Sequence, residues 1–230
     1  MTQTVLITGA NRGIGLEFTR QSLDAGDQVI ACCRAPEQAQ ALEALAERFP
    51  QQLELVGLDL GQPQQLTALQ RYLGERRVDL LISNAGVYGP KGLALGEYSA
   101  EPFADIMQVN VLAPLLLVQA LRDNLAPGAK IALLSSKMGS VTDNTSGGAY
   151  FYRASKAALN AIGKSLAIDL ADAGHPVVML HPGWVQTDMG GPNALIDTEQ
   201  SVSGMRQVID GLTEASSGGF FSFDSSPIAW

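Results

Sequence analysis

The sequence predicts an α/β fold: a doubly wound parallel sheet of about seven strands with helices on both faces. Two patterns carry that prediction. Short aliphatic and β-branched runs alternate with longer segments of helical period. Most of those runs are continuously apolar, as strands covered on both faces are, rather than alternating apolar and polar. No internal repeat and no Pro-, Gly- or Ser-rich linker interrupts the 230 residues, so residues 1–230 are expected to form one domain around one sizeable core.

The elements follow in order. Thr4–Thr8 is the first strand, and Ile14 to Ala25 the first helix, with Ile14, Phe18 and Leu23 on one side and Gly26 at its end. Gln28–Cys33 is the second strand. A helix from Pro36 to Phe49 starts on a proline suited to a first turn and stops before Pro50. The strand Leu53–Leu58, the helix Pro63–Leu73 and the strand Leu80–Ser83 come next. A long helix spans roughly Pro102 to Leu125, and Lys130–Ser135 is the fifth strand. A second long helix, Ala149–Ala173, leads to the strand Val177–His181. The helix Thr198–Leu212 and the strand Gly219–Phe223 close the chain. Residues 143–148 and 190–196 read as loops and as the candidate mobile segments, the second lying where a substrate lid would sit.

Composition narrows the class. With 46% apolar and 17% charged residues the chain is globular rather than disordered. A formal charge of −8 repels nucleic acid, so an anionic ligand must be held by local cations. The longest apolar stretch, Val109 to Val118, is interrupted by Asn110 and Pro114 and falls short of a bilayer span. The chain opens on a strand-like segment without a basic leader, and a cytoplasmic protein without membrane insertion is expected. Cys32 and Cys33 are adjacent in a strand. Their side chains should point to opposite faces, which suits packed thiols rather than a disulfide, and no metal site is expected.

The first strand ends in Thr8-Gly9-Ala10-Asn11-Arg12-Gly13-Ile14-Gly15 and runs straight into a helix. A strand, a glycine-rich turn and a helix N-terminus make a pyrophosphate cradle. Glycines let the backbone approach the phosphates, and the helix end offers free N–H groups. The spacing is G-x3-G-x-G. This segment resembles the cofactor turn of the classical short-chain dehydrogenase/reductase family, and the resemblance implies a Rossmann-type fold.

The end of the second strand faces the adenosine ribose in dinucleotide folds, where an acid selects NAD and a base accommodates the 2′-phosphate of NADP. Here no acid occupies that end and Arg34 follows at once, while Arg12 sits in the glycine turn. Two guanidinium forks suit a phosphate dianion, so NADP(H) is expected. The resemblance associates both positions with NADP as well. It also implies that Asp59, with Leu60 beside it, contacts the adenine, and that Asn84-Ala85-Gly86 borders the cofactor.

Tyr152 and Lys156 share a helix face four residues apart. An ammonium beside a phenol favours phenolate, so the pair predicts a tyrosine with a lowered pKa acting as general acid/base. The spacing alone also arises by chance. Ser135-Ser136 ends the fifth strand, where ligands sit in open α/β sheets. Asn110 is a polar residue in an apolar helix and needs a partner, either as a helix-distorting core residue or as part of a site. The family resemblance assigns Asn110, Ser136, Tyr152 and Lys156 as the catalytic four, with Ser136 rather than Ser135 and Tyr152 rather than Tyr150. It assigns His181-Pro182-Gly183-Trp184-Val185-Gln186-Thr187 as the segment holding the nicotinamide amide, through Pro182, Gly183, Val185 and Thr187.

Residues 144–148, the stretch HPGWVQTDMGGPNA and the C-terminal aromatic tail resemble the branch containing C-factor and the sniffer-type carbonyl reductases. The resemblance implies NADPH-dependent reduction of an aldehyde or ketone. The alternatives are a C-factor-type signalling protein that binds NADP(H) with little turnover, and an NAD-linked alcohol dehydrogenase. The expected partner is a small carbonyl or alcohol substrate, with Met138, Trp184, Met189, Pro192 and Leu195 as pocket walls. In this family the two long helices commonly build a homodimer or homotetramer, although some carbonyl reductases are monomers.

Overall fold

A computed structural model describes residues 2–230. The continuously apolar runs fold as buried parallel strands: β1 Thr4–Thr8, β2 Gln28–Cys33, β3 Leu53–Gly57, β4 Val78–Ser83, β5 Leu125–Leu134, β6 Val177–His181 and β7 Gly219–Ser222. They form one sheet in the order β3-β2-β1-β4-β5-β6-β7, and every neighbouring pair is parallel. The chain reverses its winding between β1 and β4. In such sheets ligands bind at the carboxyl ends of the strands flanking that switch point.

Among the described residues seven α-helices cover the two faces: α1 Gly13–Asp24, α2 Gln40–Arg48, α3 Gln64–Leu73, α4 Ala100–Met107, α5 Ala113–Leu121, α6 Tyr150–Asp169 and α7 Thr198–Asp210. On one face Leu66, Leu69, Leu117, Leu121, Leu159 and Leu166 bring α3, α5 and α6 onto Leu81, Ile131 and Leu133. On the other, Phe18, Leu42, Leu45, Val202 and Met205 bring α1, α2 and α7 onto Val5, Ile7 and Ile82. Cys32 lies in the first layer and Cys33 in the second, so adjacent thiols do face opposite ways and both are free.

Several boundaries differ from the sequence reading. The helix expected from Pro36 begins as a single 3-10 turn, Pro36–Gln38, and α2 starts only after Ala39, whose backbone is non-helical. β5 begins at Leu125, where the long helix was expected to be ending, and β4 begins two residues before the expected Leu80. α6 ends at Asp169 rather than Ala173, its last carbonyls capped by the Leu170 N–H.

The long helix expected over 102–125 is not continuous. It runs as α4, a π-helical turn at Gln108–Leu112, and α5 with Pro114 in its first turn. Taken through these breaks, Ala100–Asn124 is long and apolar enough to cross a membrane by length and composition, which counting uninterrupted apolar residues had missed. In this fold its Ile106, Val111, Leu117, Val118 and Leu121 are buried.

Candidate active site

A cavity of about 820 Å³ runs along the carboxyl ends of the central strands, from Arg34 and Asp59 at one end to Tyr152 and Lys156 at the other. Its floor is the turn between β1 and α1. Gly9 and Gly13 have φ of +66° and +53°, a region in which only glycine is unstrained. The turn is also packed too tightly for side chains. A Cβ on Gly9 would lie 2.9 Å from Ala85 Cα, and one on Gly15 only 2.2 Å from the Gly9 carbonyl oxygen. The α1 N-terminus has no side-chain cap, which leaves its first N–H groups facing the cavity.

The turn is tied to β4 by hydrogen bonds. Asn84 Nδ2 donates to the carbonyls of Thr8 and Gly9, at 2.9 and 3.1 Å. Thr8 Oγ1 accepts from the N–H groups of Asn84 and Ala85. Asn84 thus holds the shape of the cradle, while Ala85 and Gly86 line it.

Gly9, Asn11, Arg12, Gly13 and Ile14 line the cavity. So do Arg34, Asp59, Leu60, Pro182 and Thr187. Arg34 has no carboxylate partner among the described residues. Arg12 and Arg34 line the same cavity. Arg12 pairs with Asp188 across the mouth. Asp59 Oδ1 accepts from the Gly61 N–H, shaping its own loop.

Gly15, Gly183 and Val185 lie outside the lining. Gly15 is pressed beneath the turn, Val185 is buried, and Gly183 borders a second cavity with His181 and Trp184. Of the expected pocket walls, only Met189 lines the main cavity. Trp184 and Leu195 line the second, while Met138 and Pro192 line neither. The segment expected to be a mobile lid is well tethered: Trp184 Nε1 donates to Gly190 O at 2.8 Å, and Val185 bridges to Ile196. The 143–148 loop is likewise held by Arg153, which donates to Gly147 O and Ser146 Oγ.

At the far end α6 presents Tyr152 and Lys156 on its buried face. The two serines ending the fifth strand separate clearly. Ser135 Oγ donates to Asn160 Oδ1 at 2.5 Å, anchoring α6, whereas Ser136 Oγ accepts from the Met138 N–H at 3.2 Å and lies near enough to the Tyr152 phenol to favour its ionised form. Lys156 Nζ donates to Leu134 O at 2.7 Å and stands 5.7 Å from the Tyr152 ring centroid. Burial pushes the lysine down to about 8. Tyr152 moves opposite to the sequence expectation. Burial pushes its phenol up to about 12, offset only in part by the Ser136 hydrogen bond. The lysine does not counter this burial, its ammonium being bonded to the Leu134 carbonyl rather than to the phenol.

Asn110 sits in the middle of the π turn and is completely buried. Its Oδ1 accepts from the Val87 N–H at 2.8 Å, and its Nδ2 donates to Val87 O at 2.8 Å and Ser155 Oγ at 3.0 Å. The side chain therefore clips the loop after β4 to α6, one residue before Lys156. Neither Asn110 nor Ser136 lines the cavity itself.

Three further residues carry no motif of their own. Tyr88 stacks on Tyr152 with ring centroids 4.6 Å apart. Lys91 reaches over Tyr88, and Ser155 completes the Asn110 clip. Only Ser155 had a signal, its place beside the lysine of the Y-x-x-x-K pattern.

A sheet wound in this order, with a glycine cradle and a tyrosine–lysine pair at one cleft, defines a dinucleotide-fold oxidoreductase, and the chain belongs to the short-chain dehydrogenase family, whose family model matches residues 3–195. It is 47% identical over 155 residues to the C-signal protein of Myxococcus xanthus, covering 66% of this chain and 93% of that one. Among solved structures it is similar to the carbonyl reductase Sniffer of D. melanogaster, at 34% identity with a TM-score of 0.95, covering the whole of both chains. It is also similar to an NADPH-bound carbonyl reductase from chicken fatty liver, at 35% identity with a TM-score of 0.92, covering 100% of this chain and 99% of that one.

Proposed function

We propose that the chain is an NADP(H)-dependent carbonyl reductase, a single dinucleotide-binding oxidoreductase unit over residues 1–230. The observation that carries this reading is one cavity with Tyr152 and Lys156 at one end, Ser136 beside the tyrosine, and at the other end Arg34 with no acid facing it from the second strand. The NADPH in the chicken reductase supports the same cofactor here.

The cavity suits that group. The glycine turn keeps a shape that a Cβ on Gly9 or Gly15 would disrupt, and the uncapped α1 N-terminus supplies N–H donors for a pyrophosphate. Arg34 would accept the 2′-phosphate, joined by Arg12 once it exchanges Asp188 for that group. Pro182 and Thr187 would border the nicotinamide end. Bound there, the dinucleotide supplies the hydride that reaches the carbonyl carbon.

The protein's own residues do the rest. Ser136 and Tyr152 donate hydrogen bonds to the substrate oxygen and fix its position. A phenol held up to about 12 is fully protonated at neutral pH, so Tyr152 begins as the acid that a reduction needs. Lys156, held near 8, would hold the cofactor ribose and lower the cost of charge on the tyrosine as its proton leaves. Asn110 fixes the backbone of the π turn from which a water would resupply that proton.

A second reading, an NADP(H)-binding signalling protein, is favoured by the likeness to C-signal. Steady-state oxidation of NADPH and NADH with a panel of aldehydes, ketones and quinones separates the two. The carbonyl reductase reading expects turnover with NADPH well above NADH. It also expects Tyr152→Phe to lose turnover while binding NADPH normally. NADPH binding without consumption across the panel overturns it in favour of the signalling reading.

A further inference from the structure

The catalytic end of the cavity carries a cation without a counter-charge. Lys91 lines the cavity and is exposed. Its ammonium stands 5.5 Å over the Tyr88 ring, and that ring stacks on Tyr152 with centroids 4.6 Å apart. These two legs place the ammonium within about 10 Å of the Tyr152 ring. Its hydrogen-bond partner is neutral, the Met189 carbonyl on the opposite lip at 3.1 Å.

Of the other cations near this end, Arg12 pairs with Asp188 and Lys137 with Asp143, Arg153 lies outside the cavity lining, and Lys156 is buried with its ammonium on the Leu134 carbonyl. Lys91 has no carboxylate within ion-pair distance among the described residues. The backbone fixes its place. Gly89 and Gly92 take φ of +81° and +76° on either side of Pro90-Lys91, and a Cβ on Gly89 would lie 2.2 Å from Ile106 Cδ1. The turn is therefore packed onto α4 and presents the lysine over the mouth.

We propose that Lys91 is an anion-recognition residue, and that the substrate is a carbonyl compound carrying a carboxylate on the far side of a short apolar spacer. The inference rests on the carbonyl reductase reading and names the substrate class for that same site. The carbonyl oxygen lies at Tyr152, the spacer lies along Tyr88, Val87 and Met189, and the carboxylate reaches Lys91. A protein of charge −8 repels such a substrate at long range, so a local cation is what makes its capture favourable. The ammonium has donors beyond the one spent on Met189, so a carboxylate can join that bond or replace it.

The test compares 4-formylbenzoate with its methyl ester, which share the reacting aldehyde and the aryl spacer and differ in charge. The wild type is expected to favour the carboxylate in kcat/KM by about fivefold at low ionic strength, the advantage shrinking with added salt. Lys91→Met should bring the ratio near one, and Lys91→Glu should invert it. A parallel titration reads binding without turnover: quenching of bound NADPH fluorescence by 4-(hydroxymethyl)benzoate against its methyl ester, in the same three proteins. A wild-type ratio near one, or a preference that survives in Lys91→Met, overturns the proposal. If neither aldehyde is reduced, the carbonyl reductase reading fails for these substrates, and the titration still decides the role of Lys91.

Discussion

Replacing Asn110 by alanine removes a side chain that is completely buried and makes three hydrogen bonds, two to the Val87 backbone and one to Ser155 Oγ. Each such bond contributes about 1 kcal/mol net. Asn110→Ala should therefore cost about 3 kcal/mol. For a domain of this length that lowers the melting temperature by about 6–12 °C. Ser155→Ala loses one of the three bonds together with the bond its hydroxyl donates to Tyr152 O, and should cost about 1–2 kcal/mol. Because both variants break the same contact, the double variant should be less destabilised than the sum of the two by about 1 kcal/mol. Urea unfolding of the four proteins gives this cycle directly. The clip joins the loop after β4 to α6 one residue before Lys156, so turnover should fall along with stability. Strict additivity, or an Asn110→Ala cost below about 1 kcal/mol, would refute the claim that this contact holds the site together.

Other changes test the cradle and the buried charge. Gly15→Ala places a Cβ 2.2 Å from the Gly9 carbonyl oxygen and 2.5 Å from Asn84 Nδ2, so the turn must shift. A cost of about 1–3 kcal/mol and weakened NADPH binding in a fluorescence titration are expected, and unchanged affinity would remove the turn from the cofactor site. Lys156 is held at about 8 against an ordinary 10.5. Between those values the unfolded chain binds more protons, so the lysine's burial cost is complete below pH 8 and is relieved as pH rises through that window. Tyr152 acts in the opposite sense from about pH 10 to 12, where the folded state keeps its proton. Lys156→Met should therefore be as stable as the wild type at pH 7 or more so, with a flatter pH dependence between 8 and 10, yet inactive. A clear loss of stability would contradict this.

The strand cores were legible because burial on both faces leaves a continuously apolar run, and β1, β2 and β6 fall on the expected residues. The glycine cradle was legible for a related reason: a strand, three glycines and a helix in so short a span leave few other conformations. Interruptions were harder to see. The π turn around Asn110 is stabilised by bonds to Val87 and Ser155, residues distant in sequence, and no local periodicity reports them. β5 starts early because Leu125 pairs with Val78 across the sheet, a tertiary contact that overrides the apolar helical pattern before it. In the site, Tyr152 and Lys156 were found by spacing, but the direction of the tyrosine's shift was not. Spacing places the ammonium near the phenol, whereas burial and the Leu134 carbonyl decide which charge state is favoured. The Arg12–Asp188 pair and the Tyr88–Tyr152 stack join segments far apart in the chain, so they appear only in the fold.

The most direct test of the central claim follows the hydrogen itself. The wild-type protein is incubated with NADPH deuterated at the reactive nicotinamide carbon and the carbonyl panel, and the products are read by mass spectrometry and NMR. The account predicts alcohols carrying one deuterium on the former carbonyl carbon, and none formed by Tyr152→Phe. Alcohol lacking that deuterium, or tightly bound NADPH that reduces no member of the panel, would contradict it.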